Sequence, residues 1–321
     1  MFGNVVNVHD FRSALERFAK VPGVLKHLLL PKQEIVRRNW NEYEIEPLNP
    51  MLEARFNRLI SGDPDVARYE YACRKYLGDR RVRAVSLGCG SGEHEILWAR
   101  QGAFDRLDAC DLSPGRIETA RQNARDAGLA EILEFACADI LNLPYAMNAY
   151  DVVILESSLH HFSPLSRVME SIRNLLKPGG LIFMTDFVGP TKFQWLPRQI
   201  QVVNALIDLL PDRFLIGKDG RRIEKLFKPS YLRMHLVDPS EAIESGNILP
   251  MLRKHFQELE LKNAGGAILL HLFPRLSHNF PESDPVAQAW LRHLIEVEDL
   301  LLHETDEIGW WYAFGVYRKP G

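Results

Sequence analysis

Residues 82–93 read Val-Arg-Ala-Val-Ser-Leu-Gly-Cys-Gly-Ser-Gly-Glu, a short apolar strand ending in Gly88-x-Gly90-x-Gly92 with a helix-compatible stretch from Glu93. No other run constrains the fold as much. Glycines at a strand-to-helix turn allow backbone conformations closed to other residues, and they let a ligand touch the main chain. The plainer alternative is a turn that only packs a helix against a strand. The spacing speaks against the usual dinucleotide fingerprint, G-x-G-x-x-G with a helix N-terminus facing a pyrophosphate. Here the third glycine comes one residue early, and Glu93 sets a carboxylate where phosphate charge would sit. A ligand without phosphates fits the turn better.

Beyond the turn, the chain has the rhythm of a parallel sheet. After one helix, about 93–101, a second strand over 106–111 ends in Asp111. An acid about 20 residues beyond such a turn is placed to hold ribose hydroxyls, although it also suits the start of the next helix. Ser113 is the expected cap of that helix, with Pro114 in its first turn. A third strand, 132–136, leads to Ala138-Asp139-Ile140, where Asp139 reads either as a ligand contact or as a turn carboxylate. A fourth, 150–155, leads to Glu156-Ser-Ser-Leu-His160-His161. Lys177-Pro-Gly-Gly180 closes a helix and opens a fifth strand, 181–185, which stops at Asp186. Short apolar strands alternating with helices mean βαβ units, and ligands on such sheets sit beyond the carboxyl ends of the strands.

These motifs together, over roughly residues 82–190, resemble a class I S-adenosylmethionine-dependent methyltransferase. The resemblance implies a Rossmann-like α/β fold with a seven-stranded, mostly parallel sheet whose last strand runs antiparallel. It implies S-adenosylmethionine as cofactor. Gly88 and Gly90 would approach its methionine portion, Asp111 would bind the ribose, and Asp139 with Ile140 would frame the adenine. Cys89, Leu112, Ala138 and Glu156 complete the expected cofactor-binding set. The bare residues agree: an acid suits a diol, an acid beside an apolar residue suits an amino-substituted ring, and no phosphate-binding lysine is present. The runs Phe187-Val-Gly-Pro-x-x-Phe-Gln-Trp195 and Asp238-Pro-Ser-Glu-Ala also resemble a bacterial subfamily acting on small molecules or glycans, with substrates mostly unassigned.

Composition excludes other classes. With 25% charged residues, 46% hydrophobic residues and a net charge of −3, the chain has no global attraction for nucleic acid. No apolar run approaches the roughly 20 residues that span a bilayer, and Met1 to Asp10 lacks the pattern of a signal peptide. Four cysteines without framework spacing suit a reducing, cytoplasmic setting, and the absence of C-x-x-C and of a cysteine-histidine cluster argues against zinc; no metal is expected, with magnesium on the strand-end carboxylates as the alternative. Small-molecule or glycan-like partners are expected, and a homodimer is left open.

The remaining mass lies at the two ends. Residues 1–78 read as a helical lid in which Trp40 and Tyr43 either line the pocket or pin helices together. Residues 79–321 read as the methyltransferase domain, with helical insertions around 191–256 and 265–305. Phe193, Gln194 and Trp195 leave the fifth strand on the ligand side and are candidate substrate contacts. A helical insertion with polar, basic turns at Lys218-Asp-Gly-Arg-Arg222 is expected over 197–237, a helix start over 238–245, strands over 257–262 and 310–317, and an amphipathic helix over 285–303. Methyl transfer from a sulfonium is an in-line displacement, so alignment is the enzyme's main task. The expected acceptor is oxygen, ahead of nitrogen or carbon. An oxygen acceptor calls for a base, with His160, His161, Asp186 and His271 as candidates. A catalytically silent cofactor-binding subunit is the alternative of another class. A nicotinamide oxidoreductase is disfavoured, because its Tyr-x-x-x-Lys pair occurs only at Tyr71 and Lys75, upstream of the glycine turn.

Overall fold

Seven strands form one sheet in the order β3-β2-β1-β4-β5-β7-β6. They are β1 Val82–Leu87, β2 Phe104–Asp111, β3 Leu133–Cys137, β4 Tyr150–Glu156, β5 Leu176–Phe187, β6 Gln257–Asn263 and β7 Tyr312–Arg318. The first five pair in parallel, while β7 runs antiparallel between β5 and β6. This is the expected class I sheet with its reversed last strand. The structure is a computed structural model and describes residues 49–304 and 308–321. Strand order turns back at β1 and β4, and that reversal opens the crevice where open α/β sheets take their ligands.

Local chemistry explains where most elements begin. Ser113 caps the helix Pro114–Asp126, its Oγ accepting from Arg116 N at 3.3 Å, and Pro114 occupies the first turn. The helix Pro50–Ser61 starts on Asn49 Oδ1, which accepts from Met51 N, and stops at Gly62 with φ 90°.

One expectation fails, for a local reason. Residues 238–245 do not start a helix. Asp238 Oδ1 takes Ser240 N at 2.8 Å and Ser240 Oγ at 2.6 Å, folding the chain into an Asx turn, and the helix Ile248–His255 begins later. The insertion over 197–237 has the expected form, with helices Pro197–Leu209 and Tyr231–Val237 on either side of the turn after Lys218, and Asn204 bonds the main chain of Leu226 from both sides.

The sheet buries apolar side chains on both faces. On one face Trp98, from the helix Glu93–Ala99, stacks on Phe183 of β5 with centroids 5.4 Å apart and planes at 11°. Beside them lies a buried carboxyl. Glu95 is 1% exposed, and Oε1 accepts from Ser86 Oγ at 2.6 Å. Oε2 has no hydrogen-bond partner among the described residues. Burial pushes this carboxyl from 4.5 up to about 8, against the opposing effect of the Ser86 bond. Between those values the folded chain holds a proton that the unfolded chain has released. Stability therefore falls as pH rises through that window, by up to about 1.4 kcal/mol per pH unit. Glu95→Gln removes this dependence. Urea melts from pH 5 to 8 should give a flatter profile for the variant than for the wild type, and parallel profiles would contradict the assignment.

Candidate active site

The glycine turn is held in left-handed backbone, with φ 78° at Gly88, 54° at Gly90 and 83° at Gly92. A Cβ on Gly88 would lie 2.7 Å from Ser158 Cβ, so the turn packs directly on the segment that carries His160 and His161. A Cβ on Gly90 would meet Arg116 Nη1 at 2.6 Å. Asp111 ties the turn to the next strand. Oδ2 accepts from Gly90 N at 3.0 Å and Oδ1 from Ser113 N at 2.8 Å. The acid thus ties the glycine loop to the start of the next helix. Asp111 O accepts from Ala138 N at 2.9 Å, while Leu112 O receives the Cys137 thiol. Asp139 Oδ1 turns the chain by accepting from Leu141 N, with Ile140 part-buried against the core. Gly88, Gly90, Asp111 and Ala138-Asp139-Ile140 therefore sit along one rim, at the carboxyl ends of β1, β2 and β3. Burial raises the Cys89 thiol well above its usual value and Cys110 to about 12, so neither is a ready nucleophile.

Glu156, expected on the cofactor, is satisfied inside the protein instead. Arg68 donates to it from Nε at 3.2 Å and Nη2 at 3.1 Å, and Trp98 Nε1 donates at 3.1 Å. Its carboxylate ties the helix Arg68–Ala72 and Trp98 to the end of β4. Neither Arg68 nor this pairing was visible in the sequence pattern.

Asp186 also needs a correction. It is fully buried, and Oδ2 accepts from Ser158 N at 3.0 Å and Leu159 N at 2.7 Å. Oδ1 lies 2.5 Å from His160 Nδ1. A carboxylate so occupied cannot take a proton from a substrate. It positions His160, whose Nε2 lies 3.7 Å from Glu241 Oε1. His161 Nε2 stands 3.9 Å from Glu241 Oε2, and the two imidazole centroids are 4.0 Å apart. His161 Nδ1 lies 3.4 Å from Ser240 Oγ. Burial would depress the His160 pKa, but Asp186 outweighs it and the net shift is upward. For His161, burial and the neighbouring His160 both act downward, well below the usual value. Burial raises the Glu241 carboxyl. Glu241 was missed in the sequence because 238–245 read as a helix. It arrives on a loop clamped by Ile243 N donating to His160 O at 3.1 Å and Lys192 N donating to Ala242 O at 2.7 Å.

The aromatic candidates lie beside this cluster. Phe193 stacks on Trp195 at 4.8 Å, and Phe187 meets both edge-on. Trp195 is buried. Gln194 Nε2 donates to Lys192 O and Pro229 O, both at 3.0 Å, which commits it to holding two loops together. His271 drops out as a base. It packs edge-to-face on Trp195 at 4.4 Å, and burial lowers its pKa to about 4, too weak to draw a proton from a hydroxyl. Trp40 and Tyr43 lie outside the described residues.

Residues 85–184 match the methyltransferase domain family. A hybrid PKS-NRPs synthetase of Penicillium oxalicum is 31% identical over 157 residues, 48% of this chain and 4% of that protein. The 2-phytyl-1,4-naphtoquinone methyltransferase of Trichormus variabilis is 27% identical over 136 residues, 42% of this chain and 59% of its own length. The 27-O-demethylrifamycin SV methyltransferase of Amycolatopsis mediterranei is 31% identical over 106 residues, 33% of this chain and 39% of its own. The chain thus spans between 4% and 59% of the length of these relatives. One solved structure, geranyl diphosphate C-methyltransferase from Streptomyces coelicolor in complex with Mg2+, geranyl diphosphate and S-adenosyl-L-homocysteine, shares the fold. It is 14% identical with a TM-score of 0.50, over 90% of this chain and 99% of that one. Residues 85–184 are therefore a methyltransferase domain, carried on a class I fold, and S-adenosylmethionine is the cofactor of that domain. No helix among the described residues is long and apolar enough to cross a membrane.

Replacing Asp111 by alanine removes a carboxylate from the rim and leaves Gly90 N without its acceptor. S-adenosylhomocysteine affinity should fall by about 1.5–3 kcal/mol, the usual cost of a lost charge-assisted bond, roughly ten- to a hundredfold. Calorimetry checks this, and unchanged affinity would reduce Asp111 to a helix-start residue.

Proposed function

We propose that this chain transfers the methyl group of S-adenosylmethionine to a hydroxyl oxygen of a small organic acceptor, glycan-like molecules included. The observation that supports it most is the contact of Gly88 with Ser158, which sets the cofactor loop directly against the strap bearing the His160, His161 and Glu241 cluster. The donor carbon is already activated by the sulfonium, so the chain's work is to align the acceptor and strip its proton. As the C–O bond forms the C–S bond breaks, and its electron pair leaves with sulfur as a neutral thioether. An alcohol has to lose a proton in this step, whereas a free amine attacks without help. A buried pair of imidazoles facing a carboxylate suits the alcohol. Asp186 acts through His160 by holding its ring, and it also anchors the strap's backbone.

Phe193, part-buried beside the cluster, is proposed as an apolar wall for the acceptor. The rifamycin relative carries an O-demethyl substrate in its name, in keeping with an oxygen acceptor. Methyl-labelled cofactor incubated with panels of alcohols, phenols and amines tests the proposal, with label expected on oxygen. Asp186→Asn, which keeps an acceptor for Ser158 N and Leu159 N, should lower kcat by about a hundredfold or more while S-adenosylhomocysteine binding stays near wild type. Label found only on amines would overturn the oxygen assignment.

A further inference from the structure

We infer that His160, His161 and Glu241 form a binding site for a divalent transition-metal ion, which grips and acidifies the acceptor hydroxyl. The inference rests on the proposed methyl transfer to oxygen and says how the cluster would perform it. The ligand atoms of the three residues all lie within 4.8 Å of one another. His160 Nε2 and His161 Nε2 each face one oxygen of Glu241, at 3.7 and 3.9 Å. Both separations are too long for a direct hydrogen bond. They suit a shared ion at about 2.0–2.2 Å from each ligand, after side-chain movements of about an ångström.

The surroundings favour such an ion independently. Metal-binding histidines usually give their second ring nitrogen to a carboxylate or another acceptor, which fixes the tautomer and aims the lone pair at the metal. His160 Nδ1 has Asp186 at 2.5 Å. His161 Nδ1 faces Ser240 Oγ at 3.4 Å, and that hydroxyl donates to Asp238 Oδ1 at 2.6 Å. Both rings are therefore backed by a carboxylate, one directly and one through a serine. Three acids, Asp186, Asp238 and Glu241, surround the pair, whereas Lys192 spends its Nζ on Pro239 O and Glu241 O. The site is preassembled, since Ile243 N bonds His160 O and locks the Glu241 loop to the histidine strap.

The donor set selects the ion. Two imidazoles and one carboxylate suit Zn2+, Fe2+, Co2+ or Mn2+, whereas Mg2+ prefers oxygen throughout. Three protein ligands leave a coordination position open, as catalytic sites do. The acceptor hydroxyl would take that position and lose its proton to solvent water. The resulting alkoxide attacks the methyl carbon, the C–S bond breaks, and the electron pair goes to sulfur, yielding an ether and neutral S-adenosylhomocysteine.

The test begins with the full chain stripped by a chelator and titrated with Zn2+ alone by calorimetry. One site is expected, and Glu241→Gln and His161→Ala should each weaken it at least tenfold. Ser240→Ala, which leaves all three ligands in place, should weaken it less. S-adenosylhomocysteine binding by the same variants shows that they remain folded. Co2+ loading should give a visible absorption band that Glu241→Gln abolishes. If Zn2+ and Co2+ bind wild type no better than Glu241→Gln, the inference falls and the cluster is a proton relay. Undiminished O-methylation by metal-stripped protein would also overturn it, with the proposed function intact. A bound metal without any transfer to oxygen would instead overturn the proposed function and leave the site standing.

Discussion

The carboxylate of Asp186 holds the catalytic end of this molecule together. It sits fully buried at the end of β5, where an unpaired charge would be costly, and takes two backbone N–H groups and one imidazole. Those bonds draw the Ser158–His161 strap across the end of β5 and turn His160 toward Glu241. The strap in turn touches the glycine loop through Ser158. One acid therefore couples the strand that ends the parallel sheet to the histidine strap and, through Ser158, to the glycine loop. Its removal would leave two buried backbone N–H groups and the buried His160 ring without their partner, a cost of about 1–3 kcal/mol for each.

The site also concentrates unfavourable backbone. Ser157, Lys192, Phe193 and Ala242 all have positive φ, four of the five such non-glycine residues among the described residues. Each costs on the order of 1 kcal/mol or more and persists only where neighbours over-determine it. Here the neighbours are visible: Ser157 N donates to Thr185 O, Lys192 N to Ala242 O and Phe193 N to Pro190 O. The stability that carries this strain comes from the two packed faces of the sheet, where Trp98, Phe183 and Tyr150 are sealed from water.

The sheet and the rim formed by its strand ends were legible because they rest on local signals. Apolar runs, a glycine turn, and acids at strand ends each depend on a few adjacent residues, and Ser113, Asn49 and Gly62 mark helix ends through their own chemistry. What was hidden depends on partners far along the chain. Glu156 looks like a ligand residue until Arg68 arrives from 88 positions upstream. His271 looks like a base until Trp195 covers it. Glu241 looked like the first turn of a helix, since nothing local reveals that the Asp238 side chain would fold the chain back toward His160. The order Asp238-Pro-Ser-Glu was nevertheless a pointer, because an Asx turn is one of the few things that sequence does well.

Everything about this chain's chemistry depends on a glycine loop shaped for a phosphate-free cofactor, with Asp111 closing it from the second strand. The most direct measurement is a pair of calorimetric titrations on the purified chain, one with S-adenosylhomocysteine and one with NADH. Saturable one-to-one binding of S-adenosylhomocysteine with no heat from NADH is the expected result. Tight NADH binding with no response to S-adenosylhomocysteine would contradict the account at its root.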